Sequence, residues 1–130
     1  MRGSEWYANN PIAPLSEIKY LINLDMINDN NPDLYCEVSA EGMEGYTLFE
    51  EINTDKGYFK ALDRAELADN SDHYPFAVRG VPCIFFMNED DDAFKYYHTV
   101  YDTYENTIFD SYEPIFEFLV EFIENHQYDK

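Results

Sequence analysis

Ser71 to Thr103 reads SDHYPFAVRGVPCIFFMNEDDDAFKYYHTVYDT, and this stretch decides the fold. Within it Val81–Met87 (VPCIFFM) is a nearly continuous apolar run, the pattern of a strand covered on both faces. Ahead of the run, Ser71 and Asp72 can cap a short helix whose first turn holds His73 and Pro75. Gly80 is placed to end that helix, because a left-handed C-terminal residue costs least as glycine. Beyond the run an acidic loop leads to Tyr97-His98-Thr99. That position lies past the carboxyl end of a strand, where open α/β sheets gather functional residues.

Working outward, Gly3–Asn10 (GSEWYANN) reads as a short helix or the last turns of one, closed by Asn9-Asn10-Pro11. Ile18–Ile27 (IKYLINLDMI) reads as a strand running into the acidic turn Asn28–Asp33. Asp25 is the charged residue in the apolar part of that strand, and a buried carboxylate needs a partner or a metal. Hydrogen bonds from backbone amides of a neighbouring turn would serve as well as a cation. Asp29-Asn30-Asn31-Pro32-Asp33 loosely follows a calcium loop but has Leu34 and Ala40 where that loop needs glycine and glutamate, which excludes it. Leu34–Ala40 (LYCEVSA) alternates as a strand nearer an edge. Tyr46–Asn53 spaces Leu48, Phe49 and Ile52 as a helix, while Tyr58–Asp69 reads mostly as loop with room for one helical turn. Ser111–Gln127 is the clearest helix: Ser111 or a neighbour caps it and Pro114 falls in its first turn. Glu113, Glu117, Glu121 and Glu124 occupy its polar side. Ile115, Phe118, Leu119, Phe122 and Ile123 form its buried stripe, with Phe116 and Val120 at the margin.

At 130 residues the chain makes one domain at most, long enough for a proper core. Apolar content of 45% and aromatic content of 18% argue against disorder. Acidic residues outnumber basic ones 27 to 8, and the net charge of −19 disfavours nucleic acid and anionic membranes as partners. Cys36 and Cys83 sit inside strand-like runs without C-x-x-C spacing. They read as buried small hydrophobes rather than a thiolate metal site. No apolar run approaches the length of about 20 residues that spans a membrane, and no signal peptide opens the chain.

The elements S-D-H-x-P-F at Ser71–Phe76, G-V-P at Gly80–Pro82 and Y-H-T-x-x-D-T at Tyr97–Thr103 resemble the C-terminal half of the M28 zinc aminopeptidases. The related glutaminyl cyclases share much the same pattern. Upstream, Asn23-Leu24-Asp25-Met26-Ile27 resembles the family's metal-ligand strand. The four motifs stand in the family's order and cover nearly the whole chain.

The resemblance implies an α/β fold: a partial mixed, mostly parallel sheet flanked by helices, three strands and two or three helices of it here. Residues 1–130 would then be a single domain corresponding to the C-terminal half of a peptidase domain. It makes Asp25 a zinc ligand and His98 the final zinc ligand, although a lone loop histidine is ordinarily unremarkable chemically. Asp72 becomes a carboxylate that orients metal ligands or substrate, with a plain helix cap as the alternative. Tyr97 and Thr99 can fix His98, and His73 is structural. In the family a Gly-Ser-x-x-aromatic stretch like Gly3–Tyr7 follows a Glu-Glu pair, general base and metal ligand, and here the chain starts just after that point. A catalytic zinc needs three protein ligands and a water, so the isolated chain is expected to be inactive. The expected role is therefore half of a zinc-dependent aminopeptidase acting on peptides. A glutaminyl-cyclase-like acyltransferase half and a non-catalytic module that kept the fold are the alternatives, and Arg79-Gly80-Val81-Pro82 fits both enzymes. A cut sheet exposes an edge and an apolar face, so self-association or a complementing N-terminal half is the expected partner. Relatives are often exported, while the compartment of this chain stays open.

Overall fold

The computed structural model describes residues 1–27, 33–88, 93–107 and 112–126. Helices and strands follow one another as α1 (Arg2–Asn9), β1 (Leu21–Leu24), β2 (Asp33–Val38), α2 (Met43–Lys56), β3 (Ala61–Ala65), α3 (Tyr74–Ala77), β4 (Cys83–Met87) and α4 (Tyr112–Asn125). The strands form one sheet in the order β1-β4-β2-β3. β1 runs parallel to β4 and β2 parallel to β3, while β2 and β4 are antiparallel. The sheet is thus mixed and mostly parallel, as the resemblance implies.

The apolar run at 81–87 becomes β4, with Cys83 to Phe86 all buried. It lies between β1 and β2, which explains why no polar alternation marks it. Gly80 ends the preceding helical turn at φ 78°, a backbone that glycine adopts without strain. Two expectations change. The alternation in Leu34–Ala40 predicts a strand nearer an edge, yet β2 is flanked by β4 and β3. The reason is β3 itself, which falls in the segment read as loop. Its residues Ala-Leu-Asp-Arg-Ala carry too weak an alternation to announce a strand, and pairing with β2 decides it.

One face of the sheet carries the main core. Phe86 of β4 and Leu34, Cys36 and Val38 of β2 meet Phe49 and Ile52 of α2 and Ile115, Phe118 and Phe122 of α4. Phe49 stacks on Phe122 at 3.9 Å between centroids and meets Phe86 edge-on at 5.0 Å. Gly45 of α2 is required here, because a side chain on it would collide with the Tyr20 ring, itself set against Phe122. Ile123 was expected in the buried stripe but is 55% exposed, as is Phe116. The helix turns Ile115, Phe118 and Phe122 fully inward, which swings position 123 outward. Both cysteines are buried and free, and burial pushes the Cys36 thiol up to about 12. The opposite face holds a smaller apolar cluster of Ala8, Phe76 and Val81, and next to it lies a polar layer. Ser111 and the acidic stretches 28–32 and 89–92 lie outside the described residues.

Candidate functional site

The polar layer is built from β1, β2 and the segment leading into α3. β1 stops at Leu24, but its ladder continues for one more bond, from the Asp25 amide to the Phe86 carbonyl at 3.2 Å. Met26 then takes a left-handed backbone (φ 57°), and its carbonyl accepts from the Asn88 amide. Asp25 therefore sits just past the end of the strand and is exposed to solvent, not buried within it. The sharp turn at Met26 is what carries it out of the sheet.

Ser71 and Asp72 do not cap α3. The cap position is His73, and no side-chain cap hydrogen bond is made there. Ser71 instead donates its hydroxyl to Asp25 Oδ2 at 2.8 Å and accepts from the Asn23 amide nitrogen at 2.8 Å. Because Asn23 can only donate to it, the Ser71 proton is directed at Asp25. Asp72 accepts from the Ser4 hydroxyl of α1 at 2.6 Å and lies 3.1 Å from the Met1 nitrogen. The Ser4 hydrogen bond, with the Met1 amine beside it, holds the Asp72 carboxyl below its ordinary range.

Beneath them lies a carboxylate that no sequence motif marks. Glu37 of β2 is fully buried. Its Oε1 accepts from the Tyr35 hydroxyl at 2.9 Å and the Asn70 amide at 2.6 Å. Its Oε2 accepts from the Ala68 backbone amide at 2.7 Å and faces His73 Nε2 at 3.3 Å. The His73 ring stacks on Phe85 at 4.8 Å. Burial holds the His73 pKa below its ordinary value of 6.5, outweighing the pull of the Glu37 charge. The signal that could have found Glu37 is the one used for Asp25: a lone charge inside an apolar strand.

His98 lies elsewhere, in the loop after β4. It too has a left-handed backbone (φ 57°), and its ring stacks on Tyr97 at 3.8 Å. Thr99 bonds the Tyr96 carbonyl and the Tyr101 amide, so it shapes the turn rather than the imidazole. No hydrogen bond joins His98 to Asp25 or Asp72. Among the described residues no three histidine, cysteine, aspartate or glutamate side chains come together as a metal site. The described donors thus do not make a complete zinc centre, and no catalytic step through a metal follows from them.

A mostly parallel α/β sheet with polar side chains gathered past its strand ends is a scaffold of the kind that builds enzyme sites there. The chain belongs to Peptidase family M28, whose sequence model it matches over residues 1–123. No curated protein is a significant match. Among solved structures it is similar to a glutaminyl cyclase of Tannerella forsythia, at 27% identity and a TM-score of 0.71, covering 96% of this chain and 46% of that one. The Legionella pneumophila LapA aminopeptidase matches at 17% identity and a TM-score of 0.66, covering 92% of this chain and 34% of that one. An Acidobacteriales bacterium glutaminyl cyclase matches at 21% identity and a TM-score of 0.64, covering 95% and 43%. The chain therefore spans between a third and a half of the structures it resembles.

Proposed function

We propose that this chain is part of a zinc-dependent aminopeptidase that removes N-terminal residues from peptides. In this reading Asp25 and His98 are zinc donors, Asp72 orients ligands or substrate, and Tyr97 holds the His98 ring. The observation that carries it is the family match across 1–123 combined with the backbone at both donors. Met26, next to Asp25, and His98 are the two non-glycine residues with positive φ among those described, and such strained backbone concentrates at functional sites. By itself the 130-residue chain would not hydrolyse peptides, since two donors fall short of the three that a catalytic zinc needs. A complementing N-terminal half, or a second copy, would meet β1, which pairs on one side only among the described residues. The similarity to the Tannerella forsythia glutaminyl cyclase favours a second reading, an acyltransferase acting on N-terminal glutamine.

The test is a chimera in which residues 1–123 replace the matching segment of the LapA aminopeptidase. The expected result is bound zinc by elemental analysis and hydrolysis of an aminoacyl anilide, both reduced by Asp25→Ala and by His98→Ala. A folded chimera whose zinc content and turnover ignore both substitutions overturns the assignment. Cyclisation of an N-terminal glutamine without anilide hydrolysis selects the second reading.

A further inference from the structure

We propose that Glu37 is a positioning residue for Asp25, acting through the segment Asn70–His73. Each of these four successive residues is engaged by a side chain of another element. Asn70 and His73 both meet Glu37. Between them Ser71 reaches Asp25 and Asn23, and Asp72 reaches Ser4. Glu37 thus grips the segment on both sides of the residues that face the site. Ala68, further upstream, donates to the same carboxylate.

Three donors reach Glu37, and its fourth neighbour is His73 Nε2, so both carboxylate oxygens are engaged twice. Burying such a group is costly, and apolar replacements of buried ionic pairs are often neutral or stabilising. An apolar residue at 37 could fill the space, but it could not hold two points of an irregular segment on either side of Ser71. The consequence reaches Asp25 directly. Ser71 is its side-chain hydrogen-bond partner among the described residues and engages Oδ2. An exposed aspartate would otherwise rotate freely about its side chain. The Ser71 hydrogen bond to Oδ2 restricts that rotation. The proposal rests on the reading above only for what Asp25 is oriented toward.

The test needs neither metal nor substrate, so its failure leaves the peptidase reading standing, and the chimera decides that reading separately. The Asn23 side-chain amide, which donates to Ser71, is the reporter in ¹H–¹⁵N spectra of the 130-residue chain. Glu37→Gln and Asn70→Ala are expected to move that amide toward the position of a solvated asparagine. Both should also raise hydrogen exchange at Ala68 by about tenfold. Tyr35→Phe removes a donor on Glu37's own strand and should leave Asn23 unmoved. Exchange that rises at Ala68 while the Asn23 signals stay in place would overturn the proposal, since Glu37 would then only anchor the segment. Equal displacement of Asn23 by Tyr35→Phe and Asn70→Ala would overturn it as well. Asn70 is exposed, so its variant carries the test even where Glu37→Gln does not fold.

Discussion

The two faces of the sheet solve different problems. On one, Phe49, Phe86, Phe118 and Phe122 fill space with rings, and each side chain is defined by shape alone. On the other, Glu37, His73 and Asn70 form one set of hydrogen bonds and Ser71, Asn23 and Asp25 another, joined through the backbone of 70–73, and each side chain is defined by its partner. The ring face supplies most of the burial free energy. The hydrogen-bonded face contributes less stability and more direction, which is what a site requires. Strand β2 serves both, with Leu34 and Cys36 in the ring cluster and Tyr35 and Glu37 in the hydrogen-bonded one.

Substitutions separate the two. Phe118→Ala should cost most, about 3–5 kcal/mol in urea unfolding, because a fully buried ring leaves a cavity. Glu37→Leu should cost about 3 kcal/mol by stranding His73, Asn70 and the Ala68 amide, and Glu37→Leu with His73→Leu should cost less than that single change. If the double variant is the worse of the two, the pair stabilises more than its apolar replacement. Ser71→Ala should cost roughly 1 kcal/mol, since it removes two hydrogen bonds of a buried hydroxyl but leaves Asp25 open to water.

The smallest effect is on pH dependence. The folded-state pKa of His73 lies below its unfolded value of 6.5. The unfolded chain therefore binds more protons between those two values. Stability should fall as pH drops from near 6.5 toward the folded pKa. That part of the slope should vanish in His73→Phe, and a slope unchanged by the substitution would place its origin elsewhere.

What the sequence revealed follows the same division. Val81–Met87, the turn at Gly80 and the amphipathic helix α4 were legible because apolar periodicity and glycine conformation are local properties. The hydrogen-bonded face was not. Ser71 and Asp72 have the chemistry of helix caps, but Asn23, Asp25 and Ser4 arrive from other elements and claim them. Asp25 was expected inside a strand because nothing in Asn-Leu-Asp-Met-Ile announces the left-handed Met26 that ends it. Glu37 shares a face of β2 with Tyr35, which alternation alone assigns to solvent. The 68–73 segment covers that face instead. Family motifs located Asp25 and His98 as candidates, while the side chains that hold Asp25 in place required the fold.

The most direct measurement is zinc titration of the 130-residue chain by calorimetry, with Asp25→Ala and His98→Ala alongside. Two donors that no third side chain joins among the described residues should give no tight binding, with the three proteins indistinguishable. A tight isotherm near one zinc per chain, lost in both variants, would contradict the account, because a working site would then assemble from this chain alone.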